Sequence, residues 1–94
     1  MTRRKLTREE IEERLGGLTD WTVANEKLAR KFTFANFAES LEFVNRIGAI
    51  AEAADHHPDI LFGWGYAEIF ITTHDAGGIT DRDFALAREI DAIR

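Results

Sequence analysis

Cysteine is absent from the chain, which excludes a disulfide framework and a thiolate zinc site. Proline occurs once, at Pro58, and no repeat, linker or low-complexity stretch interrupts the sequence. No run reaches the roughly 18 apolar residues that a membrane span requires. Positive charge is scarce too. The net charge is −5, and the one basic run, Arg3-Arg4-Lys5, is too short to form a phosphate-binding surface, so nucleic acid is not an expected partner. That run has the charge of a signal-peptide n-region, but Leu6-Thr7-Arg8-Glu9-Glu10 stands where an apolar stretch would follow. The reading is therefore a solvated terminus, with no secretion, no membrane and a cytoplasmic location.

What remains is the composition of a globular protein, 45% hydrophobic and 31% charged over 94 residues. A chain of this length has room for one core, so residues 1–94 are read as a single domain. Only about 60–65 % of the unfolded surface is buried at such a size, and self-association would add to a modest margin.

The order of elements follows from local chemistry. Thr7 and Glu10 form a capping box that opens a short helix with Ile11 and Leu15 on its apolar side, and Gly16-Gly17 ends it. Trp21-Thr22-Val23 reads as a strand that turns at Asn25-Glu26 into Lys27–Phe34, where Leu28, Arg30, Phe32 and Phe34 share one face. Asn36 caps a long helix carrying two apolar stripes, Phe37-Leu41-Val44-Gly48-Ala51 and Phe43-Ile47-Ile50-Ala54. Together they are wide enough to cover a sheet and meet another subunit. Pro58 predicts that this helix stops at His56-His57. Two more strand-like runs, 60–62 and 67–73, join at Trp64-Gly65-Tyr66, and His74 ends the second. Gly77-Gly78 reads as a flexible loop, after which Thr80 and Asp83 cap a last helix through Ile93. Hairpins in place of crossovers predict an α+β fold: a four-stranded antiparallel sheet with three helices on one face, in the order α-β-β-α-β-β-α.

All three histidines fall between positions 56 and 74, and imidazole is the side chain whose ordinary pKa, roughly 6.5, permits proton exchange near neutrality. The adjacent pair His56-His57 could hold an acid and a base together, or merely bond the last carbonyls of the helix; on the pair alone the two readings are evenly matched. Glu52, one turn earlier, is placed to orient the His56 ring or to be an exposed helix glutamate. A returning hairpin would bring His74 to the pair. Trp64 and Tyr66 could stack on a flat ligand or simply pack. A zinc or iron site competes for the same residues, but neighbours on a helix point about 100° apart and do not form a one-face ligand pair.

The spacing of Glu52, His56-His57-Pro58, Trp64, His74 and Asp83 resembles the signature of the pterin-4a-carbinolamine dehydratases. The likeness extends to Trp21, Arg30-Lys31-Phe32-Thr33-Phe34, Phe37, Phe43, Asn45-Arg46 and Thr72-Thr73-His74-Asp75-Ala76-Gly77-Gly78, nearly the whole chain. The resemblance implies the same four-stranded, three-helix fold, assembled as homodimers or homotetramers. It further implies dehydration of 4a-hydroxytetrahydrobiopterin or a related carbinolamine to the quinonoid dihydropterin, without metal or organic cofactor, in recycling the cofactor of an aromatic amino-acid hydroxylase. His56, His57 and His74 match the family's active-site histidines; Glu52, Asp83 and Trp64 are expected at the substrate. The alternative is a binding protein of the same fold, a dimerisation cofactor for a transcription factor or an assembly factor for another enzyme. Two departures concern the rim and the subunit contacts: Trp64-Gly65 replaces a Tyr-Asn turn, and Phe70 stands on a sheet face expected to be more polar.

Overall fold

The capping box forms as the sequence predicts: Glu10 N–H donates to Thr7 Oγ1 and Thr7 N–H to the Glu10 carboxylate, opening α1 (Arg8–Leu15). The computed structural model describes residues 4–93; the expectation for Met1–Arg3 lies outside the described residues. Arg4 and Lys5 are exposed and ion-paired, to Glu10 and Glu26.

β1 (Thr22–Ala24) and β2 (Lys27–Thr33) meet at Asn25-Glu26, where φ is 52° and 60°. Two successive positive φ values give a turn whose twist matches the flanking strands. α2 (Phe37–Ala54) follows, capped by the Asn36 side chain, then β3 (Asp59–Gly63), β4 (Tyr66–Ile71) and α3 (Asp81–Ile93). The sheet is antiparallel in the order β1-β2-β4-β3, so β3 is an edge strand. In its centre Leu28 opposes Ile71, Arg30 opposes Ile69 and Phe32 opposes Ala67. Leu28, Phe32, Ala67, Ile69 and Ile71 form one core with Phe43 and Ile47 of α2 and Phe84, Ala87 and Ile90 of α3, while Ile11 and Leu15 of α1 pack against the rim of the same core.

Burial on α2 does not divide by stripe, since Ala51 of the first is buried and Ala54 of the second is exposed. Phe43, Ile47 and Ala51 are buried with Ser40, whereas Phe37 and Leu41 stay 45% and 40% exposed. Trp21 is buried and its Nε1–H donates to Asp91, which also accepts from Arg30. Trp64 is 71% exposed at the β3–β4 turn, and that turn is fastened to α2 by Gly65 N–H donating to Ser40 Oγ at 3.1 Å.

Three boundaries differ from the sequence reading. α2 stops at Ala54, before the histidine pair, because Asp55 adopts the left-handed conformation (φ 51°, ψ 43°). His56 N–H then closes on Ala51 O and Asp55 N–H on Glu52 O, a Schellman ending that satisfies the last carbonyls from the backbone. β4 stops at Ile71, and His74 opens a single 3₁₀ turn, His74–Ala76. Gly77-Gly78 is no loose loop: Gly77 supplies the positive φ, and Gly78 is buried, paired antiparallel with Thr73.

Candidate active site

The left-handed Asp55 redirects the chain at the end of α2, and the Thr73–Gly78 bridge folds residues 72–80 back beneath that turn before α3 begins. These two local devices bring His56 against the first turn of α3. His56 Nε2 lies 2.5 Å from Asp83 Oδ1, with His56 9% exposed and Asp83 wholly buried. The other carboxylate oxygen, Oδ2, accepts Thr80 N–H at 2.8 Å and the Thr73 hydroxyl at 3.0 Å. A carboxylate at the start of a helix faces unpaired N–H groups and the positive end of the dipole, so burial of this charge is compensated on every side.

The network also assigns the imidazole tautomer, since hydrogens follow from partners. With Oδ1 accepting, Nε2 carries a proton, and in the neutral ring Nδ1 keeps the lone pair. Among the described residues no buried side-chain nitrogen or oxygen lacks a partner, and none of those residues bonds His56 Nδ1. Nδ1 therefore lies on the exposed edge of the ring.

That edge opens on a cleft of about 490 Å³ lined by Ala54, Asp55, His56, His57, Thr72, His74, Asp75 and Arg82. His57 is exposed, and its Nε2 bonds the Glu52 carboxylate. His74, on the 3₁₀ turn, is also exposed. Arg82 reaches across and donates to the Asp55 carbonyl at 2.9 Å. A larger hollow, about 610 Å³, lies between α1 and β1 under Leu6, Ile11, Leu15 and Trp21, and holds no histidine. The smaller, polar cleft is the one lined by His56, His57 and His74. Among the described residues, no group of three or more histidine and carboxylate side chains is placed to share a metal ion.

The chain matches the family model described as Pterin 4 alpha carbinolamine dehydratase over residues 4–93. It belongs to that family. A protein from Rubrobacter xylanophilus named "Putative pterin-4-alpha-carbinolamine dehydratase" is 49% identical, covering 90% of this chain and 80% of its own. A protein of the same name from Chloroflexus aurantiacus is 45% identical over 95% of this chain and 96% of its own. Among solved structures, a transcriptional coactivator/pterin dehydratase from Brucella melitensis superposes with a TM-score of 0.91 at 30% identity, covering 96% of this chain and 98% of that one. A pterin dehydratase-like protein identified as a RuBisCO assembly factor in the alpha-carboxysome reaches 0.63 at 26% identity, covering 78% and 84%.

In this dehydratase-family chain the three histidines share one cleft, but the carboxylates are distributed otherwise than the sequence reading expects. Glu52 bonds His57 and not His56, because the left-handed Asp55 breaks the helical register that would have stacked residue 56 over residue 52. Asp83 faces the cleft only through His56. Trp64 lies at the other end of β3, five residues away. At about 3.3 Å per residue that is roughly 16 Å from the start of the strand, and Trp64 does not line the cleft. The sequence reading passed over Thr73 and Arg82 as site residues, and took Thr80 only as a cap. The signal for Thr73 was its place beside His74, and for Arg82 its place beside Asp83.

Proposed function

We propose that this chain is a pterin-4a-carbinolamine dehydratase, acting on a 4a-hydroxytetrahydropterin with its own histidines as general acid and base. The observation that carries this reading is the buried Asp83–His56 pair, whose unbonded Nδ1 borders a cleft shared with His57 and His74. In the reaction the N5–H proton leaves, the C4a–O bond breaks, a C4a=N5 double bond forms and the protonated hydroxyl departs as water. His56 Nδ1 takes the N5 proton, and the exposed pair His57 and His74 supplies the proton to the hydroxyl. General acid–base assistance of this kind contributes about 10² to 10⁴ in rate. Glu52 holds the His57 ring, and Arg82 holds the floor of the cleft at Asp55. The setting is a cytoplasmic one, recycling the cofactor of an aromatic amino-acid hydroxylase.

The rate of dehydration of a freshly generated 4a-carbinolamine, followed by ultraviolet absorbance, tests this with the wild-type chain and with His57→Ala and His74→Ala. Acceleration by wild type that falls at least tenfold in the variants is expected. A folded wild-type chain with no acceleration would refute the reading. A second reading, a binding protein of this fold, is favoured by one observation: Phe37, Leu41, Leu61 and Trp64 are all exposed large apolar side chains, on α2 and the β3 edge. The same surface suits the homodimer or homotetramer expected of the enzyme.

A further inference from the structure

Behind His56 the hydrogen bonds form a directed chain that the dehydration chemistry does not use. Arg82 N–H donates to Thr80 Oγ1 at 3.2 Å, Thr80 Oγ1 and Thr73 Oγ1 are 2.8 Å apart, and Thr73 Oγ1 donates to Asp83 Oδ2 at 3.0 Å. Each hydroxyl has one proton. Thr73 gives its proton to Asp83, so the Thr73–Thr80 bond must be donated by Thr80, whose own lone pair receives the Arg82 amide. The direction is fixed from end to end: Arg82 backbone, Thr80, Thr73, Asp83. Thr73, Thr80 and Asp83 are 2%, 0% and 0% exposed, so water has no access to stand in for a missing member.

We propose that Thr73 is a positioning residue for His56: its hydroxyl, aimed by Thr80, saturates Oδ2 of Asp83 and thereby leaves Oδ1 alone to hold the proton on His56 Nε2 and the lone pair on Nδ1 toward the cleft. Two donors on Oδ2 fix the carboxylate plane; with Thr80 N–H as the only donor, the carboxylate can rotate about its Cβ–Cγ bond and share Oδ1 less directionally with the imidazole. The backbone of Thr73 is itself pinned, since Thr73 N–H donates to Gly78 O at 3.1 Å and Gly78 N–H to Thr73 O at 3.3 Å. The charged and titratable groups around the other edge of the His56 ring are His57, His74, Asp75, Asp55 and Arg82. None of them touches the hydroxyl chain except through the Arg82 backbone amide.

The kinetic arm of the test rests on the proposed dehydration; the spectroscopic arm does not. Thr73→Val keeps the shape and removes the hydroxyl, and Thr73→Ser keeps the hydroxyl and removes the methyl. In Thr73→Val, kcat is expected to fall about tenfold, the rate equivalent of one hydrogen bond, with KM within twofold. The His56 Nε2–H proton resonance is expected to be sharp and slow to exchange in wild type and to broaden in Thr73→Val. Thr73→Ser restores both. A Thr73→Val protein with the wild-type His56 resonance overturns the proposal, as does a Thr73→Ser protein that loses as much as Thr73→Val, because the methyl would then be the part that matters. If Thr73→Val does not fold, Thr80→Val decides: it removes the hydroxyl that aims Thr73 and accepts the Arg82 amide while leaving the Thr73 hydroxyl in place, and an unchanged His56 resonance there also overturns the proposal. If wild type shows no dehydration, the resonance comparison still stands.

Discussion

Replacing Asp83 by Asn changes one oxygen to an NH₂ group without altering shape, and the structure determines which way the amide must turn. On one side it faces a single partner, His56 Nε2; on the other it faces two donors, Thr80 N–H and the Thr73 hydroxyl. An NH₂ placed against two donors leaves both unpaired in a site of zero exposure, so the amide puts its oxygen there and its NH₂ toward the imidazole. His56 must then present a lone pair at Nε2 and carry its proton on Nδ1, the edge that borders the cleft. The base is lost through tautomer reversal alone. A fall of about 10² to 10⁴ in the dehydration rate is expected, the range for loss of a general base. Stability should fall by only about 1–3 kcal/mol, because charge-assisted bonds become neutral ones while the packing survives. That corresponds to a fall in Tm of roughly 4–8 °C for each kcal/mol in a domain this small. The assays are the carbinolamine rate, a thermal melt, and long-range nitrogen–proton correlation of the His56 ring. A folded Asp83→Asn protein that keeps the wild-type tautomer, or dehydrates at the wild-type rate, would refute the reasoning.

Asp55→Ala should lower stability by about 1 kcal/mol while Asp55→Gly does not, since only glycine adopts the left-handed end of α2 without a Cβ penalty; urea midpoints of the two variants check it. The Glu10 carboxyl is lowered to about 2 by its hydrogen bonds to Arg4 and to the Thr7 amide. Its contribution to stability is complete above the ordinary carboxylate pKa and disappears as pH falls through about 2. Glu10→Gln should therefore melt below wild type at pH near neutrality and converge with it in strong acid. Leu41→Glu charges the exposed side of α2, and light scattering should show a wild-type mass above one chain falling to the monomer mass in the variant; a monomeric wild type would remove the basis for this expectation.

Elements governed by short-range chemistry were legible in the sequence. The caps at Thr7 and Asn36, the alternation through Leu28, Arg30 and Phe32, and the turn at Asn25-Glu26 each depend on residues within four positions, and each stands where the pattern predicts. The site was legible in its histidines but not in its pairings. Whether Glu52 meets residue 56 or 57 is decided by the φ of Asp55, and aspartate only weakly signals a left-handed conformation. Thr80 and Asp83 have capping-box spacing, yet the Thr80 hydroxyl is drawn to Thr73, and Asp83 supplies the half that bonds the Thr80 amide. Trp64 shows the opposite failure: its spacing suggests a shared site, while the straightness of β3 carries it away from the histidines.

The contrast between the two tryptophans gives the protein a pair of optical reporters. Trp21 is buried with its indole N–H bonded to Asp91, and Trp64 stands in water on a turn held to α2 by Ser40. Their emission should be separable, shorter in wavelength from the first and longer from the second. Because the turn is fastened, Trp64 emission will be insensitive to loop motion and will respond to whatever settles on the hairpin tip. Loss of the core will shift Trp21 instead. With Trp64→Phe to isolate the buried indole for unfolding, and the wild-type chain to report on the hairpin tip, unfolding and association can each be followed without a label.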